Sequence, residues 1–282
     1  MIDLHTHSTV SDGSEPPERI PELAAAAGCS AVALTDHDSL AGLEVAAAAA
    51  DRLGLTLVRG CEVSCRSGVA GAHSMHVLVY FVEGEEGPLH DELVALRGDR
   101  RARNQALVGR LRDLGVPIGY DDLVAEAGGE EGIGRPHVAS ILVRLGVAED
   151  VTDAFDTWLG ESGRAYVPKA RIEPAEIVAL ARRSGAVAVL AHPLSLGLDA
   201  GDLKRTVQAL AEVGFVGIEA IYGRYDPGQR RQLAELARRF DLVATGGSDF
   251  HGSFKADLAV GRGMGDLQVP DEVLEQLAAR RP

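Results

Sequence analysis

The chain has 282 residues, 46% of them hydrophobic and only 4% aromatic, with 33 glycines, a length and composition that fit an α/β enzyme built as one large barrel or two smaller domains better than a β-sandwich. A formal net charge of −14 argues against a general nucleic-acid coat protein, which must neutralise many phosphates. No apolar run approaches the roughly 20 residues that span a bilayer, so no membrane partner is expected.

Taken from the N-terminus, short apolar or β-branched runs at 1–4, 31–35, 56–59, 75–81, 186–190, 216–220 and 242–245 predict strands. Between them, 17–27, 40–53, 174–184, 202–213 and 227–240 carry helical periodicity, with Pro17 and Pro174 where a first helical turn tolerates proline. Such alternation implies a parallel sheet, open or closed into a barrel. The stretch 89–166 breaks the pattern. Helix-like segments separated by loops such as Gly128-Gly129 and Gly132-Ile133-Gly134 predict a mostly helical insertion, leaving 1–88 and 167–282 to the barrel. The N-terminus shows no basic-plus-apolar leader, and a cytoplasmic protein is expected. Cys29, Cys61 and Cys65 lack zinc-ribbon spacing and read as reduced, partly buried thiols.

Each predicted strand runs into a side chain able to bind metal. The first meets His5-Thr6-His7 with Asp12 beyond, the second Thr35-Asp36-His37-Asp38, the third Glu62, and the fourth His76. The fifth meets His192, the sixth Glu219, and the seventh Ser248-Asp249-Phe250-His251. Residues at the carboxyl ends of parallel strands converge on one face, so these distant positions share a pocket. A single strand-end histidine is ordinarily a hydrogen-bonded structural residue. Six of nine gathered there, mostly beside acidic groups, are better read as ligands. Imidazole and carboxylate together favour Zn²⁺, Mn²⁺ or Fe²⁺ over Ca²⁺ or Mg²⁺ alone. Two or three such ions about 3.5–4 Å apart would clamp a phosphoryl group and give hydroxide from bound water near neutral pH. Asp36, Asp38 and Glu219 read either as supports behind the ligands or as surface carboxylates.

The runs His5-Thr6-His7-Ser8, Ser11-Asp12-Gly13, Thr35-Asp36-His37-Asp38, Gly60-Cys61-Glu62-Val63-Ser64, Ala191-His192-Pro193 and Gly247-Ser248-Asp249-Phe250-His251 resemble the motifs of the PHP (polymerase and histidinol phosphatase) superfamily, over nearly the whole chain and in order. The resemblance implies a distorted (β/α)7 TIM-like barrel with up to three divalent metals. It assigns His5, His7, Glu62 and Asp249 to one ion, Glu62, His76 and His192 to a second, and Asp12, His37 and His251 to a third. It gives Glu62, His192 and Asp249 their catalytic part through the metal-bound hydroxide, with Asp36 behind the ligands. Many relatives place a histidine where Asp12 stands.

In the insertion, Arg97, Arg100, Arg101, Arg103 and Asn104 crowd one helical stretch, and Gly134-Arg135-Pro136-His137 marks a helix start. A solvated basic face is the ordinary reading of such a run. Arginine also grips phosphate bidentately, and a helix N-terminus adds N–H donors. By resemblance to the branch of 3′,5′-nucleotide bisphosphate phosphatases and 5′→3′ exoribonucleases, Arg103, Asn104, Arg135, His137 and Lys169 would hold a substrate phosphate. The expected activity is hydrolysis of a phosphate ester on a nucleotide or short 5′-phosphorylated oligonucleotide, a 3′,5′-bisphosphonucleotide such as pAp foremost. The alternatives are a small-metabolite phosphomonoesterase such as histidinol phosphatase, and an amidohydrolase. The latter is disfavoured because none of Lys169, Lys204 and Lys255 stands at a strand end to be carbamylated.

Overall fold

The computed structural model describes residues 1–69, 75–129, 133–160, 162–168 and 172–282. The chain divides into two compact units, Met1–Leu93 with Arg171–Pro282, and Val94–Ala170.

The first unit is a nearly closed seven-stranded barrel in the order β1 (Ile2–Asp3), β2 (Ala31–Leu34), β3 (Thr56–Cys65), β4 (Met75–Tyr80), β5 (Val187–Leu190), β6 (Gly217–Tyr222) and β7 (Val243–Gly247). The (β/α)7 expectation holds, with one correction to the all-parallel sheet. β4 runs antiparallel to both neighbours. The physical reason is the connection: β3 ends at Cys65 and β4 begins at Met75, too short a span for the crossover helix that parallel strands require. The reversal matters for the site, because it brings the start of β4, where His76 stands, to the end of the barrel at which the other strands finish.

Helices α1 (Arg19–Ala26) and α2 (Leu43–Leu53) follow β1 and β2, while α7 (Pro174–Arg183), α8 (Ala200–Val213), α9 (Pro227–Arg239) and α10 (Glu272–Ala278) belong to the C-terminal half. Each buries an apolar stripe at helical spacing, as α2 does with Leu43, Ala46, Ala49 and Ala50. Ile2, Leu4, Ala31, Ala33, Val58, Leu78, Tyr80, Val187, Val189 and Val243 form one core cluster, joined by Val269, Val273 and Leu277 from the C-terminal segment. On β3 and β4 the period-two alternation that sends Val58, Leu78 and Tyr80 into this core sends Glu62 and His76 the same way, one layer higher.

The seam between β1 and β7 is closed by backbone bonds from Leu4 N–H to Gly246 O at 3.1 Å and from Asp249 N–H to His5 O at 2.8 Å. Buried Asp3 fastens it further, accepting from His5 N–H (3.2 Å), Ser248 N–H (2.9 Å) and Gly261 N–H (2.7 Å).

The second unit is helical. Its helices are the part of α3 (Pro88–Asp113) beyond Leu93, α4 (Tyr120–Ala127), α5 (Arg135–Arg144) and α6 (Val151–Asp153), which continues as a π-helical turn over Ala154–Leu159. Leu107, Leu111, Leu123, Val138, Leu142, Trp158 and Leu159 make its core. Among the described residues no helix is long and apolar enough to cross a membrane.

Candidate metal centre

Three groups of donor atoms converge where the barrel strands end. His5, His7, Glu62 and Asp249 form one, His37, Glu62 and His76 a second, and His7, Asp12, His37 and His251 a third, the atoms in each lying within 4.8 Å of one another. The groups are fused: Glu62 and His37 each belong to two, and so does His7. His192 joins through Glu62, its Nε2 standing 2.9 Å from Oε1.

The Glu62 carboxylate divides the centre. Its Oε2 lies 3.2 Å from both His5 Nε2 and His7 Nε2 and 3.3 Å from His37 Nδ1. Its Oε1 lies 2.9 Å from both His76 Nδ1 and His192 Nε2. Each oxygen thus faces its own set of imidazoles.

The nitrogens of His5 and His7 approach to 3.1 Å, and buried His37 Nδ1 makes no hydrogen bond. Lone pairs aimed at one another with too few protons between them are what a cation would satisfy, and a mixed imidazole–carboxylate set is suited to Zn²⁺, Mn²⁺ or Fe²⁺. The residues present therefore fit divalent metal ions.

Charge and burial compete here. Burial alone would raise the Glu62 carboxyl, but the imidazoles of His37, His5 and His76 hold it well below the usual range. Asp249 is pulled down in the same way by His5, His7 and Lys255 against its burial. Burial pushes His37 down to about 3, against the opposite pull of Glu62 and Asp12. His7 goes the other way. Burial pulls it down, yet Asp249, Glu62 and Asp12 outweigh that and hold it at about 9 without metal. An ion must displace that proton, so affinity is expected to rise with pH until about 9. Calorimetric titration of Mn²⁺ at pH 7 in buffers of different ionisation enthalpy should register the proton released. An enthalpy independent of buffer would contradict this.

Behind the donors stands a hydrogen-bonded layer. Glu219 takes His5 Nδ1 at 2.9 Å with one oxygen and His192 N–H at 2.8 Å with the other, fixing the tautomer and aim of His5. Asp36 accepts from Ser8 N–H (2.8 Å), Ser8 Oγ (2.7 Å) and Ser11 Oγ (2.7 Å), and Asp38 from Ser64 N–H (2.9 Å). All three carboxylates are buried, so the surface alternative considered for them is set aside. Asp38, His192 and Asp249 have positive φ (50°, 24° and 55°), three of the five non-glycine residues in that state among those described. Strain gathered at one site is a mark of function. Two contributors escaped the sequence reading. Tyr222 and Lys255 both reach Asp249 Oδ2. The only trace of Tyr222 was its place three residues past Glu219 on β6, across an irregularity at Glu219/Ile221 that alternation does not reveal.

In the second unit, Arg103 and Asn104 are buried, unlike exposed Arg101. Asn104 Nδ2 donates to Ile133 O at 3.0 Å, which brings α3 to the turn that opens α5. His137 Nδ1 accepts from Gly134 N–H at 3.1 Å as a cap, and Arg135 donates to Leu159 O at 3.2 Å with its guanidinium 5.9 Å from the Phe155 ring centre. All five residues expected to meet a phosphate fall within the Val94–Ala170 range of this unit, four of them at described positions. Lys169, like Gly132, falls outside the described residues.

The PHP domain model matches residues 3–184. The 5′-3′ exoribonuclease Rnm of Escherichia coli is 34% identical over 254 residues, covering 89% of this chain and 85% of its own. A 3′,5′-nucleoside bisphosphate phosphatase of Chromobacterium violaceum is 32% identical over 250 residues, covering 89% and 87%. A solved structure from Bifidobacterium adolescentis superposes with a TM-score of 0.80 at 31% identity over 100% of this chain and 96% of that one. With seven barrel strands in order, fused donor groups at their ends and matches of this extent, the chain belongs to the PHP domain family.

Proposed function

We propose that this protein, a metal-dependent phosphoesterase, hydrolyses a phosphate ester on a nucleotide or short 5′-phosphorylated oligonucleotide, with a 3′,5′-bisphosphonucleotide as the first choice. The observation that carries the reading is the sharing of Glu62 between two donor groups, because fused sites suit the two negatively charged ends of a phosphoryl transfer. The relatives named above, one acting on RNA and one on nucleoside bisphosphates, supply the substrate class.

In this reading His5, His7, Glu62 and Asp249 hold one ion, and Glu62 with His76 and His192 holds a second. Asp12, His37 and His251 hold a third. When bound, such ions lower the pKa of a water and offset charge on phosphoryl oxygens. The chain's own residues do the rest. Glu219 holds His5 and the His192 backbone in place, and Asp36 fixes the Ser8–Ser11 turn beside His7. Arg103, Asn104, Arg135, His137 and Lys169 are assigned to a substrate phosphate. The choice of a doubly phosphorylated substrate rests on them.

The test compares pAp, AMP, a 5′-phosphorylated dinucleotide and histidinol phosphate at equal concentration with Mn²⁺, following released phosphate and nucleotide. The expected order places pAp or the dinucleotide first by at least about tenfold in kcat/KM, a difference of about 1.4 kcal/mol in transition-state binding. Arg135→Ala should erase that preference by raising KM for pAp. Turnover of histidinol phosphate alone would replace the nucleotide reading. No turnover of any nucleotide phosphate with the metals in place would end it.

A further inference from the structure

The two carboxyl oxygens of Asp249 keep different company. Oδ1 faces the donor cluster, 3.5 Å from His5 Nε2, 3.3 Å from His7 Nε2 and 3.4 Å from His251 Nδ1. Oδ2 accepts the Tyr222 hydroxyl at 2.7 Å and the Lys255 ammonium at 2.5 Å.

Both donors are themselves held. Tyr222 ends β6, and its ring stands edge-on to the His192 ring with centroids 5.7 Å apart and against Tyr225 at 4.8 Å. Tyr225 in turn accepts Leu194 N–H at 2.9 Å, two residues past His192. Lys255 closes a short 3-10 turn, Gly252–Lys255, in which Ser253 N–H is tied to Ser14 Oγ at 2.8 Å.

A carboxylate with two unoccupied oxygens can chelate an ion or swing between modes. One whose Oδ2 is occupied by a hydroxyl and an ammonium offers Oδ1 alone, at lower electron density, with a fixed positive charge opposing the cation. We propose that Tyr222 and Lys255 are positioning residues that restrict Asp249 to one ligating oxygen and weaken its hold on the ion. The pair keeps the ion a stronger Lewis acid than an unrestrained aspartate would leave it. This rests on the reading of Asp249 as a ligand, and extends it to residues that carry no donor atom to the cluster.

The direction of the effect separates this role from a structural one. A merely structural contact, once removed, should loosen metal binding and lower stability together. Release of Oδ2 should instead tighten it. Mn²⁺ affinity of the full chain is to be measured by competition with a chelator, alongside the visible absorption of the Co²⁺-loaded protein and kcat for phosphate release. Lys255→Met and Tyr222→Phe are each expected to bind Mn²⁺ about tenfold more tightly, the reverse of the loosening that loss of a contact behind a ligand ordinarily causes. They should also shift the Co²⁺ bands and lower kcat, with KM little changed. Lys255→Arg keeps the charge and a donor and should stay near the wild type in all three. Unchanged or weaker binding in both Lys255→Met and Tyr222→Phe would overturn the proposal while the wild type still binds. A wild type that takes up no Mn²⁺ would instead remove the metal reading beneath it.

Discussion

Glu62→Gln is expected to leave the protein two ions short of the wild type and to lower turnover by about a thousandfold. The side chain is almost fully buried on β3, and five imidazoles surround its carboxylate. Its Oε2 serves His5, His7 and His37, while its Oε1 serves His76 and His192. Glutamine keeps the shape but removes the charge, and it puts an N–H₂ donor where one set of imidazoles needs an acceptor. Either orientation of the amide therefore spoils one group, and loss of the charge weakens both. A thousandfold corresponds to about 4 kcal/mol, within the several kcal/mol that charge neutralisation by bound metal contributes. Elemental analysis of the purified variant beside kcat for phosphate release checks this. The β3–β4 ladder from Gly60–Tyr80 to Cys65–Met75 does not depend on the carboxylate, so circular dichroism should match the wild type. Wild-type stoichiometry in the glutamine variant would strike Glu62 from the ligands.

How much of this could be read from the chain depended on reach. His5, His7, His37, Glu62, Asp249 and His251 follow apolar runs directly, so the hydrophobic pattern that locates a strand also locates its end. His76 was found by the same pattern for the wrong reason. It stands at the start of its strand, and only the antiparallel course of β4 carries it to the others. The short connection after Cys65 held that information, since a crossover helix could not fit there. Lys255 was set aside because it ends no strand, yet a long side chain on a turn reaches back to Asp249. Periodicity has no means of showing such a contact. The basic run on α3 shows a further limit. The sequence showed only a crowded basic stretch from Arg97 to Asn104, whereas the buried face runs through Arg103, Asn104, Leu107, Val108 and Leu111. Burial chose the face, and it took an arginine with it.

Gly247→Ala should damage stability and metal binding together, because β7 meets β1 at this point with no room for a Cβ. One placed there would lie 2.4 Å from His5 Cβ and 2.5 Å from His5 N. The obstacle is backbone and the root of a ligand, not a flexible side-chain tip, so relief must come from moving β1. That strand has only two residues, and its extension is held on both sides of the contact by Leu4 N–H to Gly246 O and Asp249 N–H to His5 O. A shift of a few tenths of an ångström would therefore lengthen the closing bonds and displace His5 from Glu62 and Glu219. Overpacking of this kind costs about 3 kcal/mol. At roughly 2–4 °C per kcal/mol for a chain near this size, the thermal midpoint of the metal-free protein should fall by about 6–12 °C. Mn²⁺ should then raise that midpoint less than it does in the wild type, since the displaced imidazole belongs to the group of four donors. Gly84→Ala serves as the comparison, because its added methyl would meet nothing closer than Glu44 Oε1 at 3.9 Å, and it should stay within about 0.5 kcal/mol. An unchanged midpoint in Gly247→Ala would mean that the seam yields easily, and that the position of His5 is set by Glu219 and the metals instead of by the closure of the barrel.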